Sequence, residues 1–284
     1  MGGATFMDKR SMRTCKRICM HLILIVGVLI FITPYLWVFL NSFKSNSEIF
    51  SRPFALPQTL LFSNYLEALV KAKLLLYFFN SCLLTFSSVA ILLTIASMAS
   101  YILSRFDFKL NFILYMTFTL GFMIMGQAVL LPIFITLRNM NLINTRIGLL
   151  FPYVALHVSI NVMLMTSFMR TIPKALEEAA VIDGCSSLKL FTRVIIPLSK
   201  PVLATAGTLD FLWIWNELLF ALVMISKPSF RTIPLGLLNL KSEFVVNYGA
   251  MSAGIILASI PVISVFLILQ EQVIQGMTAG AVKG

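Results

Sequence analysis

Long stretches without a charged residue dominate this chain. Uncharged runs of 26, 31, 28, 23 and 27 residues separate Arg17 from Lys44, Lys73 from Arg105, Lys109 from Arg138, Arg146 from Arg170, and Glu243 from Glu271. A helix needs about 20 apolar residues to cross the hydrocarbon of a bilayer, so each run predicts one spanning helix. A sixth stretch, Pro201 to Ser226, is equally apolar apart from Asp210 and Glu217. The pattern therefore predicts an all-α integral membrane protein with six transmembrane helices. The first covers 18–42 and the other five lie within 77–272. The first run exceeds the roughly 7–15 residues of a signal-peptide core, and no small-x-small site follows it, so it is expected to stay as a span.

The polar connections set the orientation. Lys9, Arg10, Arg13, Lys16 and Arg17 crowd before the first span, which places residues 1–17 in the cytoplasm. Six crossings return the tail, 273–284, to the same side. The first outer connection, 43–76, contains Pro53 and Pro57, which stop a continuing helix. Beyond them, Asn64 is expected to cap a short amphipathic helix carrying Glu67 and Lys71 at i, i+4. Pro228 and Pro234 interrupt the third outer connection, whereas spans two and three join through a tight inner turn at 104–109.

Composition agrees. Of 284 residues, 22 are Lys or Arg, 11 are Asp or Glu, and 59% are hydrophobic; the mean hydropathy is +0.93. Soluble domains are about a quarter charged, so a water-soluble enzyme and a disordered chain are both excluded. The net charge of +11 reads as cations flanking membrane segments in contact with lipid, with no nucleic-acid partner expected. Cys15, Cys19, Cys82 and Cys185 form no CxxC pair and lie mostly far from His21 and His157, so neither a metal site nor a disulfide framework is expected. Two histidines and scattered acids supply no catalytic constellation, and the chain is not expected to be an enzyme.

The one long inner loop, 171–201, carries the densest signal. Pro173 suits a helix start and Gly184 a left-handed helix end, with Glu177 and Glu178 in the first half where the macrodipole favours acids. Ala179 and Ala180 leave a flat surface on which another protein can pack. Pro197 and Pro201 then break the chain before span five. On these signals alone, a solvated loop helix is as good a reading as a docking element.

The order and spacing of Glu178-Ala179-Ala180, Asp183-Gly184, Phe191, Pro197 and Pro201 resemble the cytoplasmic loop of permease subunits in binding-protein-dependent ATP-binding cassette importers. Cys185 stands where that family commonly has alanine, another small residue. Asn80-Ser81, Leu131-Pro132, Asn144-Thr145, Trp215-Asn216-Glu217 and the tail Gln275 to Gly284 look like the carbohydrate branch, of the maltose type. The resemblance runs from residue 18 onward and implies a type I importer permease fold. It makes the loop a coupling helix that docks on an ATPase subunit through Glu178, Ala179, Ala180, Asp183 and Gly184. It also brings the tail, with Thr278, Ala279, Gly280 and Lys283, into contact with the ATPase. The implied function is import of a sugar or oligosaccharide across a bacterial or archaeal cytoplasmic membrane by alternating access. The implied partners are a second, unlike permease, two ATPase subunits and an extracytoplasmic sugar-binding protein.

The tail superficially suggests a phosphate loop. Val282 precedes Lys283 and Gly284 follows it, whereas a P-loop needs Gly before Lys and Ser or Thr after. ATP and Mg are therefore expected on the partner ATPase and no cofactor on this chain. Within the spans, Asp210 and Glu217 are seven residues apart and would project within about 20° of each other on one helix. A mid-membrane charge costs roughly 2.5–3.5 kcal/mol, so both should face protein or water. Asp210, Asn216, Glu217 and Gln127 are candidates for the sugar pathway; a packing contact is the competing reading, favoured for Asp210. Trp213 and Trp215 read as interfacial belt residues, and His157, Asn161 and Gln127 as interhelical hydrogen-bonding groups. Gly121 and Gly126 mark close helix packing. An importer of a non-sugar solute and an ion-coupled secondary transporter are the competing functions; the latter would show repeated halves, which are not visible here.

Overall fold

The computed structural model describes residues 5–240 and 247–281. In chain order the helices are α1 (Thr5–Asn41), α2 (Asn46–Ser51), α3 (Ser63–Leu66), α4 (Leu74–Arg105), α5 (Asn111–Phe122), α6 (Leu130–Asn139), α7 (Arg146–Met169), α8 (Lys174–Ile182), α9 (Ser187–Leu190), α10 (Ile196–Leu198), α11 (Lys200–Trp215), α12 (Leu219–Met224), α13 (Ile233–Leu237) and α14 (Tyr248–Ala281). No strand occurs among the described residues.

Among the described residues, four helices are long and apolar enough to span a membrane unaided: Lys16–Asn41 of α1, α4, α7, and Tyr248–Gln272 of α14. Two bent helix pairs pass the same test of length and composition only when taken together. Asn111–Phe122 and Gly126–Asn139 meet at 91°, and Ser187–Leu198 meets Lys200–Trp215 at 74°. The uncharged run 110–137 is thus two helices, because its apolar composition sets membrane residence without setting straightness. The sixth candidate, Pro201 to Ser226, likewise ends as a helix at Trp215 and restarts as α12.

The chain divides into two compact units. One comprises Met1–Lys71 with Leu240–Leu257. Here Lys44 is fully buried, its Nζ donating to the carbonyls of Arg52 and Pro53, each at 3.2 Å. Asn64 is not the helix cap its position suggested. Its Nδ2 donates to the carbonyls of Ser42 and Lys44 at 2.9 Å, while Phe62 occupies the cap position of α3 without a side-chain bond. Glu67 to Lys71 continue α3 as a π turn. Asn46 Oδ1 accepts the Tyr248 N–H at 2.8 Å, and Asn247 Nδ2 reaches Glu67 at 3.0 Å, so the start of α14 is latched to the 43–67 segment.

The other unit comprises Ala72–Asn239 with Ala258–Gly284 and contains the functional positions described below. Its axis is the pair α4 and α7, which run side by side in the same sense. Arg146 Nη2 donates to Asn80 Oδ1 at 3.0 Å near their first turns, and Ser100 Oγ to the Val162 carbonyl at 3.1 Å further along. Two apolar clusters line this axis. One gathers Leu84, Leu149, Tyr153, Ile214 and Phe220; the other gathers Ala96, Tyr101, Val162, Met165, Ile195 and Ala206. Gly121 and Gly126 mark close approaches as expected: a Cβ on Gly121 would lie 2.6 Å from Ser159 Oγ, and one on Gly126 3.3 Å from Leu156.

Candidate functional site: the inner-loop helix and the intramembrane cavity

The loop between α7 and α11 forms the helix its residues predicted. Pro173, with ψ 130°, stands just before it rather than inside it. At the other end Gly184 takes φ +77°. Its N–H donates to the Val181 carbonyl, and the Cys185 N–H to the Ala180 carbonyl, both at 3.0 Å. These crossed bonds are a Schellman motif, which closes the helix and leaves few orphan carbonyls. Glu178, Ala179, Asp183 and Gly184 are exposed and Ala180 is half-buried. Beside them Val181, Ile182 and Leu188 are 57%, 85% and 69% exposed, an apolar patch at a helix end.

Two devices tie this helix to the spans. Glu177 ion-pairs with Arg105 at the end of α4, and both side chains are nearly buried; Arg105 Nη2 also donates to the Ile172 carbonyl at 3.1 Å. Beyond Gly184, Leu190 and Ile195 are buried, and Phe191 packs against Tyr101 with ring centroids 5.2 Å apart. These contacts join α8 to α4, and the chain runs on through α10 into α11.

Among the apolar helices, the end of α5, the 123–127 break, α7 and α11 line a half-open cavity of about 570 Å³ whose walls include Gln127, His157, Asn161, Asp210 and Trp213. Asn161 Nδ2 donates to Asp210 Oδ1 at 3.1 Å, joining α7 to α11, and to the His157 carbonyl at 2.8 Å. Asp210 Oδ2 and Asn161 Oδ1 are buried with no hydrogen-bond partner. His157 Nδ1 lies 3.2 Å from the Tyr153 carbonyl, which can only accept, so the proton belongs on Nδ1 and the other ring nitrogen accepts. The imidazole meets Trp213 edge-on at 4.5 Å.

Glu217 does not share a helical face with Asp210. It sits in the break after the C-cap of α11 at Asn216, where its carboxylate accepts from the Phe220 N–H at 2.7 Å, the Ala221 N–H at 3.2 Å and the Tyr153 hydroxyl at 2.6 Å. It acts as the cap of α12, with its remaining surface on a second cavity of about 410 Å³ that also touches Gln127 and Asn216. Asn216 is exposed and bonds the Leu212 carbonyl of its own helix at 2.7 Å. Trp215 is buried rather than interfacial: it stacks on Phe211 at 5.5 Å and donates to the Ala258 carbonyl at 3.0 Å. Of the tail positions, Thr278, Ala279 and Gly280 belong to the last turns of α14, their side chains lying outside the described residues, as does Lys283 altogether.

The other motif residues prove to be fasteners. Asn80 Nδ2 holds the carbonyls of Ser229 and Arg231, Ser81 Oγ accepts the Ile233 N–H, and Thr145 caps α7 by accepting from Gly148. Asn144, with φ 61°, accepts from the Ser226 N–H, Ser226 hydroxyl and Lys227 N–H at 2.7–2.9 Å. Tyr153 had escaped notice in the sequence, since one tyrosine in an apolar helix carries no local signal of a partner 64 residues away.

Known proteins place the chain. Residues 70–279 match the family described as binding-protein-dependent transport system inner membrane component. The chain is similar to a putative ABC transporter permease of Caldicellulosiruptor sp., 37% identical over 92% of this chain and 95% of that one. It is similar to AmyC of Thermoanaerobacterium thermosulfurigenes, a probable permease for starch degradation products, 34% identical over 91% and 94%. It is also similar to MalG of Thermococcus litoralis, a trehalose/maltose permease, 31% identical over 95% and 98%. In fold it resembles a chain of a bacterial alginate ABC transporter with a TM-score of 0.79 and 24% identity, over 92% of this chain and 97% of that one. With its broken spans, inner-loop helix and matched 70–279 region, the chain belongs to the family of inner membrane components of binding-protein-dependent transport systems.

Proposed function

We propose that this chain is the permease subunit of an ATP-driven importer for a sugar or oligosaccharide, working by alternating access, with α8 as the element on which a separate ATPase acts. The build of α8 carries this reading. A short helix ends in a Schellman motif, exposes Ala179, Gly184 and an apolar flank, and is bolted to α4 through Arg105 and Glu177. Such a surface suits a partner protein, and such an anchor suits force transmission. The sugar class is supported by relatives named for starch degradation products and for trehalose and maltose.

The remaining parts follow from that assembly. ATP and Mg belong to two ATPase subunits, a second and unlike permease completes the pathway, and an extracytoplasmic binding protein delivers the solute; the related alginate transporter has a structure in complex with its periplasmic protein. A cytoplasmic α8 and cytoplasmic termini are supported by the basic N-terminal segment and by Arg105 and Arg170 at the ends of α4 and α7. The tail around Thr278, Ala279, Gly280 and Lys283 is a second contact for the ATPase.

The test uses the reconstituted importer with its binding protein. An added Cβ at Gly184 meets nothing within 4 Å, so substitution there acts through backbone strain and surface shape. Gly184→Val, which resists positive φ at a cost of roughly 1–3 kcal/mol, should lower sugar-stimulated ATPase about 10-fold with the complex intact. Gly184→Asn tolerates the left-handed region and should stay within a few-fold of the parent. Normal stimulated ATPase in the valine variant overturns the docking role, and uptake of labelled sugars tests the solute class.

A further inference from the structure

The cavity between α5, α7 and α11 holds more acceptors than the fold uses. Asp210 is 4% exposed and Asn161 1% exposed; both residues border the cavity, and Asp210 Oδ2 and Asn161 Oδ1 are sealed from solvent in this conformation without a partner, so a ligand reaches them only when α7 and α11 part. Their mutual bond orients them, because Asn161 spends its Nδ2 on Asp210 Oδ1 and on the His157 carbonyl and so turns its Oδ1 away from both. His157 adds an accepting ring nitrogen, and Gln127 at the wall can donate or accept.

An unsatisfied buried acceptor is costly, and two within one hydrogen-bonded pair are not explained by packing. The pair already has the geometry of an interhelical contact through one bond; the free oxygens are the remainder. A volume of about 570 Å³ falls in the range of small-molecule sites, about 300–1,000 Å³. Most of the wall is apolar, with Leu156, Ile160, Leu209 and the Trp213 ring, which suits the C–H face of a pyranose.

We propose that Asp210 and Asn161, with His157 and Gln127, form a subsite in this subunit that accepts hydrogen bonds from the hydroxyls of one sugar residue during transport. The ligand class follows from the chemistry: several acceptors beside an apolar wall call for a neutral molecule with adjacent donors on an otherwise apolar ring. Asp210 stands on α11, which continues from the inner loop through α10, so movement of α8 changes the distance between α11 and α7 and with it the fit of the pair. This subsite rests on the sugar-importer reading.

The experiment measures turnover of the complete reconstituted importer at saturating, sugar-loaded binding protein, normalised to assembled complex, so that delivery selectivity cancels. Asp210→Asn keeps shape and places a donor where Oδ2 accepted; Asn161→Leu removes the second acceptor. Asp210→Asn should lower sugar turnover about 10–100-fold, the loss expected for a hydrogen bond to a charged group, and Asn161→Leu about 3–10-fold, the loss for a neutral one. A second measurement keeps the inference testable if either variant assembles poorly. Leu209→Cys, with the four native cysteines replaced by alanine, puts a thiol on the cavity wall at a position 51% exposed; sugar trapped with non-hydrolysable ATP analogue should slow its alkylation several-fold. Unchanged turnover per complex, or loss of assembly without protection of Cys at 209, overturns the subsite alone. An importer that moves only a solute without hydroxyls overturns the subsite and the sugar function together.

Discussion

Glu217 sits in the break after α11 and closes the open N–H groups at the start of α12. Read along one helix it would be a pathway carboxylate in register with Asp210. In the folded chain its oxygens take three donors, Tyr153 Oη, Phe220 N and Ala221 N, so its first duty is to start α12. Carboxylates favour helix N-termini because the first N–H groups have no intrahelical acceptor. Tyr153→Phe should therefore destabilise the protein by about 1–3 kcal/mol, seen as a lower unfolding temperature in detergent, with uptake per assembled complex retained. Glu217→Gln keeps one acceptor but turns the other into a donor, which even in the better amide orientation faces the Phe220 N–H, so recovery of the assembled complex should fall more than turnover. A variant with full recovery and lost uptake would return Glu217 to the pathway.

At the scale of elements, short segments between the spans are held by side chains that the sequence marks clearly but does not explain. Asn144 fixes the chain after α12 by accepting three bonds while itself in the left-handed region. Asn144→Gly keeps the backbone and loses the bonds; Asn144→Ala loses both. Thermal unfolding should show a loss of about 2–3 kcal/mol for glycine and a larger one for alanine, and equal losses would mean that backbone strain is immaterial there. Gly236, in α13, has a different reason: a Cβ there would run into the Tyr77 ring of α4. Gly236→Ala should cost about 1–3 kcal/mol by overpacking, measured in the same unfolding experiment. The broken third and fifth spans belong at this scale too. The 123–125 bend of the third and the 216–218 gap that follows α11 border the two cavities, whereas the 74° bend falls at Ser199; irregular backbone in a membrane is tolerated where it lines protein or a polar space.

For the whole molecule, the chain of connections is α8 to α4 by an ion pair, α8 to α11 by the Phe191–Ile195 turn, and α11 to α7 by Asn161 and Asp210. Breaking a nearly buried ion pair by removing one partner costs about 3 kcal/mol or more. Glu177→Gln should loosen the first link, so that ATPase becomes less dependent on sugar while the complex still assembles; sugar dependence equal to the parent's would show that the link carries no coupling. Broken helices also occur in ion-coupled transporters, and so would not by themselves have chosen between the two functions. The family match over 70–279 decides that point.

What the sequence determined by itself is what depends on local chemistry. Charge-free length dictates which segments enter the membrane, because hydrocarbon penalises charge regardless of neighbours. Pro173, Gly184 and the small residues between them dictate a capped helix, because φ preferences are properties of single residues. The spacing of the inner-loop motif and the tail was enough to indicate the family. What the tertiary structure alone decided is what depends on contacts distant in the chain. The hold of Tyr153 on Glu217, the bond from Trp215 to the Ala258 carbonyl, and the use of Asn64, Asn80 and Asn144 as latches all require partners tens of residues away. So does the pairing of Asn161 with Asp210, 49 residues apart, which gathers acceptors into one cavity. A polar side chain in an apolar run announces that it must be satisfied, since unsatisfied groups are costly away from water; only the fold says by whom.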